Sequence, residues 1–428
     1  MTEVGGAQAG AHIIVIGGGL AGVCTAYELA RAGFSVTVIE ANKNVALETS
    51  YANGGMLTPS QSDPWNSPGV GRQLFRSLVG RSSAMKLRPR SIPSHLLWGA
   101  KFIKNATPDK YRIATAAGFR LASDSVKKIT EAAKRHQIEY DGTANGSMKI
   151  FNCAADLEEA VKHLRCLNES ALKFQVITPF EVTDIEPQLH GLEKHFVGAI
   201  YYPDDKVGDA RKFTEAMAAK AEALGVKFLY DVSVEKLLLN NSIIVGVETD
   251  NGPIAGSDVV LANGIAAPAL AKKVGVGLSI KPVKGYSLTF DVRGVNNLPS
   301  MPIVDEHVHT ALTVLGNRIR ILGTAEFAGT DKTIDHARIA YLRQFLQRVQ
   351  PELARQVEAA TGESWAGLRP VSADGLPYIG QSNIKGLWVN AGHGHLGWTM
   401  SMGSASLLAC LMAGKAPEID PAPYRVGR

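Results

Sequence analysis

The chain has 428 residues, 45% of them apolar and 20% charged, with a net charge of +5 and four scattered cysteines. That is an ordinary globular composition, long enough for two domains or one large interleaved fold. It argues against a helical membrane protein, since no apolar run reaches 18 residues, against a disulfide scaffold, and against a nucleic-acid binder, for which no motif is present.

The first twelve residues, MTEVGGAQAGAH, are small and mostly polar. They read as a loose tail and lack the basic and apolar regions of a signal peptide. Residues 12–40, HIIVIGGGLAGVCTAYELARAGFSVTVIE, read as strand, glycine turn, helix and strand, ending in an acid. The strand is expected over His12–Ile16, the helix over Leu20–Ala32 and the second strand over Val36–Ile39. Gly17, Gly19 and Gly22 have the G-x-G-x-x-G spacing of a dinucleotide site. The first permits the tight turn, the second lets backbone approach a pyrophosphate, and the third lets the helix pack on the strand. The helix N-terminus offers free N–H groups and a positive dipole end to that pyrophosphate. Glu40 suits a ribose hydroxyl and would repel a 2′-phosphate. The motif alone leaves FAD and NAD both open.

Residues 63–110 are rich in Pro, Ser and Trp. From Arg72 to Arg112 ten Lys and Arg face one acid, Asp109. Leu74, Phe75, Leu78 and Val79, then Leu96, Leu97, Trp98, Phe102 and Ile103, interleave with that charge. Two readings apply: a helix packed on the core with solvated cations, or an amphipathic surface for an anionic membrane. Residues 111–178 read as helical. Asp209–Leu224 reads as an amphipathic helix ending at Gly225, followed by strands over Val226–Tyr230, Ser242–Glu248, Ile254–Ser257 and Asp258–Leu261. Residues 281–327 alternate as strands do, and Asp335–Ala359 reads as one or two helices.

The segment WAGLRPVSADGLPYIG (365–380) surrounds Arg369 with turn formers. It reads as a fixed loop presenting a guanidinium for bidentate capture of a carboxylate, or else as an arginine paired to a structural acid. The chain closes with a strand, LWVNA, a loop, GHGHLG, and a helix beginning near Thr399. That N-terminus suits a second anionic site. His307/His309 and His393/His395 are His-x-His pairs. Only Asp305 and Glu306 lie near either, so no metal site is expected. These blocks imply a nucleotide domain of at least three segments with a sheet-and-helix domain inserted between them.

Together the opening unit, ETSYANGG (48–55), DPWNSPG (63–69), VGDARKF (207–213), GLRPVSADGLPYIG and NAGHGHLGWTM resemble the FAD-dependent D-amino-acid dehydrogenases, within the D-amino-acid oxidase and glycine oxidase superfamily. The resemblance spans nearly the whole chain. It implies an α/β protein: a Rossmann-type FAD-binding domain (1–85, 190–268 and 360–428) and an α+β substrate domain with a mainly antiparallel sheet (86–189 and 269–359). It implies non-covalent FAD, held by Gly17, Gly19, Leu20, Ala21, Gly22, Glu40 and Ala41. Glu48, Thr49, Ser50, Asn53, Gly54 and Gly55 line the pyrophosphate and flavin in such enzymes. Val232 and Val234 match the segment beside the adenine, and Ala262 and Gly264 the strand end over the pyrophosphate. Gly392, His393, Gly394, Gly397, Trp398 and Thr399 match the segment at the flavin pyrimidine edge.

Arg369 matches the arginine that binds the substrate carboxylate, with Tyr286 and His393 as further substrate contacts. No side-chain acid or base is implied. Hydride passes from Cα to flavin N5, and the imino acid hydrolyses to a 2-oxo acid and ammonia. The electron acceptor is a quinone or carrier in a dehydrogenase, or O2 in an oxidase. The implied location is cytoplasmic, with peripheral attachment to the inner face of the membrane through 72–112. Glycine oxidases often carry a further polar or basic residue after the Gly-His pair. GHGHLGW fits the dehydrogenase branch instead and leaves the second substrate anchor unidentified. The alternatives are an oxidase of glycine, sarcosine or another secondary amine, an NAD-dependent dehydrogenase, and a non-catalytic nucleotide-binding subunit.

Overall fold

A computed structural model describes residues 11–71, 85–166, 172–305, 307–358 and 360–428. The opening unit folds as its pattern demands. The strand His12–Ile16 runs into a helix, Leu20–Arg31, and returns as the strand Ser35–Ile39, parallel to the first. These strands are apolar and buried on both faces, as parallel strands under helices must be. They lie within a six-stranded sheet ordered Tyr378–Gln381, Leu387–Ala391, Asp258–Leu261, His12–Ile16, Ser35–Ile39, Lys227–Leu229. Every pairing in it is parallel except the first, so one sheet gathers strands separated by more than three hundred residues.

Three helices cover one face of that sheet: Leu20–Arg31, Ala210–Ala223 and Ser401–Met412. Asp209 caps the second, accepting from the N–H groups of Arg211 and Lys212 at 2.8 and 3.0 Å. A 29-residue helix, Pro108–His136, packs on the same core through Ala117, Leu121, Ala122 and Ile129. The opposite face is covered by the antiparallel strands Val234–Asn240, Ile243–Thr249 and Gly252–Ala255.

The second large sheet has nine strands and is mainly antiparallel. Towards one end of it Ile280–Asp291 pairs with Arg318–Phe327 on one side and with the end strand Glu363–Ser372 on the other. The helices His336–Val349 and Pro351–Gln356 pack on one face through Leu342, Phe345, Leu346 and Leu353. Residues 111–178 are not helical throughout: Ser147–Phe151 and Gln175–Ile177 are strands of this sheet. Sheet membership also crosses the expected segment boundaries. Gly198–Tyr202 and Glu363–Ser372 belong to the nine-stranded sheet, while the Pro108–His136 helix packs with the six-stranded one.

Of the basic segment, residues 72–84, with Leu74, Phe75, Leu78 and Val79, lie outside the described residues. The helix Ile92–Lys104 follows, burying Trp98 and Phe102 against Phe327 and Val371 while Leu96 and Leu97 face outward. Among the described residues no helix is long and apolar enough to cross a membrane.

Candidate active site

The glycine turn lies where the carboxyl ends of two central strands meet. Gly17 sits at φ +107°, and a Cβ there would come within 2.9 Å of Asn263 Cα. A Cβ on Gly22 would sit 1.8 Å from the Gly17 carbonyl oxygen, so only glycine permits the helix to start here. No side chain caps the helix at Gly19, and its first turn, with Leu20 and Ala21, carries no acid. Ser50 reaches this end, its Oγ accepting from Leu20 N–H at 3.2 Å. Glu40 is buried. One carboxylate oxygen accepts from Gly18 N–H at 2.6 Å, the other from Asn42 N–H at 2.8 Å and Asn42 Nδ2 at 2.5 Å. Val232 N–H donates to the Glu40 carbonyl, and Ala262 N–H to that of Ile16. Val234 opens the strand that begins beside this point, and Ala41 is exposed at the rim.

This cradle fits the ADP half of FAD. It combines a helix end whose cap residue, Gly19, has no side chain, a clamped acid and the buried Asn263 Oδ1, which has no hydrogen-bond partner among the described residues. Gly264, just beyond, turns the chain at φ +56°.

The second group of residues surrounds Arg369, which the structure moves from an expected loop onto the strand Glu363–Ser372. Its partner across the ladder is Val283, and the guanidinium lies over Gly285, where a Cβ would come within 2.2 Å of Nη1. Nη1 donates to the Thr324 carbonyl at 3.1 Å. Thr324 is at φ +63°, unusual for a β-branched residue, and its Oγ1 is buried without a partner among the described residues. No described acid forms an ion pair with Arg369, so the alternative of a structural pair is not what is found. Burial alone pushes the guanidinium down to about 10, which leaves it cationic at neutral pH.

Trp65 lies beside this cation, its ring 5.5 Å from Arg369 Cζ, and stacks on His395 at 5.2 Å with an interplanar angle of 14°. Its neighbour Asn66 is anchored through Nδ2 to the Ala373 carbonyl at 3.5 Å. The His395 loop is tied to the arginine strand, with Gly394 N–H donating to the Pro370 carbonyl at 2.9 Å. Burial lowers both His393 and His395 to about 4, so both are neutral near pH 7.

Other expected residues form the bridge between the two groups. Thr49 Oγ1 donates to the Leu368 carbonyl at 2.9 Å, joining the ETSYANGG loop to the arginine strand. Glu48 is exposed and paired with Lys332. Asn53 Oδ1 accepts from Gly55 N–H at 3.0 Å, and the Asn53 carbonyl from Arg320 at 2.8 Å. Gly54 backs onto Leu322. Gly392 turns the chain at φ +90°, ahead of Gly397. Trp398 Nε1 donates to the Gly208 carbonyl at 2.9 Å, so the VGDARKF and GHGHLGW segments touch. Thr399 Oγ1 accepts from Thr58 N–H at 3.2 Å. The closing helix begins at Ser401.

Two expectations change. Tyr286 is not beside Arg369: one residue from Gly285 on an extended strand, it points to the opposite face, where its hydroxyl donates to Glu326 at 2.5 Å. The His393 ring is buried against the closing helix, with Nε2 at 3.1 Å from Ser404 Oγ. His395, not His393, meets Trp65. Sequence reasoning missed Trp65, His395, Gly285 and Thr324 at this site. Trp65 lay inside the DPWNSPG motif, and Gly285 was the small residue facing a bulky cation. The Thr324 backbone left no sequence signal. Among the described residues no group of three or more His, Cys, Asp or Glu side chains could hold a metal.

Comparison with known proteins agrees with this architecture. Residues 12–411 match the family model DAO, described as FAD dependent oxidoreductase. The chain is 37% identical over 416 residues to a D-amino acid dehydrogenase of Rhizobium rhizogenes, covering 97% of this chain and 99% of the relative. It is 38% identical over 409 residues to one of Methylobacterium nodulans, covering 95% and 96%. A glycine oxidase from Geobacillus kaustophilus shares the fold at a TM-score of 0.77 and 23% identity, over 98% of this chain and 99% of that one. A glycine turn with its clamped acid, a separate half-buried arginine, and a match over residues 12–411 lead to one conclusion: the chain belongs to the DAO family of FAD dependent oxidoreductases.

Proposed function

We propose that this protein catalyses the FAD-dependent oxidative deamination of a D-amino acid, giving an imino acid that water converts to a 2-oxo acid and ammonia. The observation that carries this reading is Arg369, a desolvated cation with no described acid partner, held over a glycine on a rigid strand. Bound FAD supplies the acceptor for the hydride that leaves the substrate Cα. Arg369 holds the α-carboxylate in a bidentate pair, which fixes the direction of the Cα–H bond. The Thr324 carbonyl holds one guanidinium nitrogen and leaves the others to the ligand. Gly17, Gly19, Leu20, Ala21, Gly22, Glu40, Ala41, Val234, Ala262 and Gly264 hold the ADP half of FAD. The segments 48–55 and 392–399 hold the flavin half without a covalent bond. The six-stranded sheet with its helices, including Pro108–His136, is the FAD-binding part, and the nine-stranded sheet is the substrate part. The names of the relatives at 37% and 38% identity support D-amino acids as the substrate class.

Anaerobic mixing with a panel of D- and L-amino acids tests the reaction. Loss of flavin absorbance with D-amino acids is expected; no bleaching by any amino acid would overturn it.

The acceptor in this reading is a quinone or carrier at a membrane surface. The helix Ile92–Lys104 supports it: Leu97 is 86% exposed and Leu96 63% exposed, close in sequence to the exposed Lys101 and Lys104. Sedimentation with anionic vesicles should carry the protein down, and a Leu96→Ser/Leu97→Ser protein should stay in solution. Rapid reoxidation by air with stoichiometric peroxide would replace the quinone with O2.

A further inference from the structure

We infer that His395 is the second substrate anchor, its Nδ1 accepting an N–H of the substrate amine while Arg369 holds the carboxylate. This rests on the amino-acid reading proposed above.

Two independent contacts bring His395 to the arginine. One is backbone: Gly394 N–H bonds to the Pro370 carbonyl, so His395 and Arg369 each stand one residue from the same hydrogen bond. The other is the ring of Trp65, which lies 5.5 Å from Arg369 Cζ and stacks on the imidazole at 5.2 Å.

The protonation of the ring follows from its partner. His395 Nε2 lies 3.1 Å from the Gln61 carbonyl oxygen, which can only accept, so Nε2 carries the proton. A neutral imidazole has one N–H, which leaves Nδ1 with a free lone pair. No described group donates to it. The charged groups that act on the ring are Arg369 and Lys149, which oppose its protonation, and Asp63, which favours it. Asp63 is already engaged with His163 at 2.9 Å. Burial is the largest influence and holds the ring neutral, so the acceptor is present throughout the neutral range.

A neutral acceptor is what this chemistry requires. The reactive amino acid carries a carboxylate beside an uncharged amine, whose lone pair must be available as the Cα–H bond breaks. A carboxylate at position 395 would pair with Arg369 and stabilise the ammonium form, which has no lone pair. An imidazole lone pair accepts an amine N–H and leaves the nitrogen lone pair free. No proton is taken up by His395, so it is a positioning group for the nitrogen.

Two variants separate this role from packing. The amide of His395→Gln reaches the ε position, keeping a donor for Gln61 and losing the δ acceptor. The amide of His395→Asn keeps an acceptor at the δ position and loses the Gln61 bond. The readouts are dissociation constants for D-alanine, from anaerobic flavin reduction, and for propionate, its amine-free analogue, from the shift in flavin absorbance. We expect the Gln protein to bind D-alanine roughly 10-fold more weakly, the worth of one hydrogen bond, with propionate unchanged. We expect the Asn protein to recover most of that loss. A Gln protein that binds D-alanine normally, or loses both ligands equally, overturns the assignment, as does recovery by Gln and not by Asn. A wild-type protein that no D-amino acid bleaches defeats the deamination reading itself. A bleached wild type with an unaffected Gln protein defeats only the anchor.

Discussion

The two faces of the nine-stranded sheet treat buried charge in opposite ways. On one face Arg369 lies over Gly285, with the Thr324 carbonyl as its one hydrogen-bond partner among the described residues. On the other, one residue along the same strand, Lys284 and Tyr286 converge on Glu326. Glu326 is fully buried, receives the Tyr286 hydroxyl at 2.5 Å and pairs with Arg88, while Lys284 Nζ lies 3.7 Å away. Burial pushes the Glu326 carboxyl up, but the bonds from Tyr286 and Arg88 outweigh it and hold it below its usual range. The bond to Glu326 likewise raises Arg88. A matched cluster stabilises itself and has little capacity left for a ligand. A cation without its acid is costly in the empty protein and gains most when an anion arrives. The same sheet therefore carries a matched charge cluster on one face and, on the other, the unmatched cation proposed to bind the substrate carboxylate.

The largest effect should come from unmatching the paired face. Glu326→Ala removes the fully buried acid of the cluster, leaving Lys284 with Asp331 at 3.4 Å, Arg88 with Asp335 at 3.1 Å and the Tyr286 hydroxyl without its acceptor, and should cost about 3–5 kcal/mol of folding stability. Denaturant unfolding measures it; a loss below 1 kcal/mol would mean the cluster relaxes into water. Arg369→Ala should behave in the opposite way. Its kcat/KM for amino acids should fall roughly 100-fold, about 3 kcal/mol, mostly through KM. FAD content should be unchanged and the melting temperature no lower. An unchanged KM would remove Arg369 from the site.

The neutral His393 sharpens the contrast through pH. Its folded pKa of about 4 lies below its ordinary 6.5, so the unfolded chain binds the extra proton between those values. Stability is therefore full above pH 6.5 and falls as pH drops toward 4, by roughly 3 kcal/mol at most for this residue. Asp205, pushed up to about 6 by burial, acts in the opposite sense over the acid part of that window. The informative measurement is the difference between wild type and His393→Gln, which should lose the histidine slope. Parallel pH profiles would show that His393 is protonated without cost.

The smallest effect is expected at Thr324. Thr324→Gly relieves a left-handed β-branched residue and should change stability by about 1 kcal/mol or less, while loosening the carbonyl that steers Arg369. A modest rise in KM measures that loosening; an unchanged KM would mean the guanidinium is held by packing alone.

Much of the nucleotide half was legible because its signals are local. His12–Ile16, Asp258–Leu261 and Leu387–Ala391 fall where the apolar runs lie, and Asp209 starts its helix as a cap does. Arg369 was recognised as important but misread as part of a loop. Gly367 and Pro370 look like turn formers, yet both sit in a strand paired over ten residues to Ile280–Asp291, a partner that local propensity cannot see. Tyr286 was misplaced for a related reason. Alternation tells which residues share a face but not which face meets the ligand. Lys284 gave no warning that it would be fully buried, since its partner Glu326 is 42 positions away.

The sequence by itself determined the turn from Gly17 to Gly22 and the acid at Glu40, and it singled out Arg369 as a candidate. Each depends on backbone sterics or on chemistry confined to a few neighbouring residues. Only the tertiary structure decided that Arg369 would have no described acid partner, that Glu326 would have several, and that Trp65 and His395 would stand beside the arginine. The physical reason is that a buried charge is defined by what surrounds it, and the strands that surround these charges are brought together from distant parts of the chain.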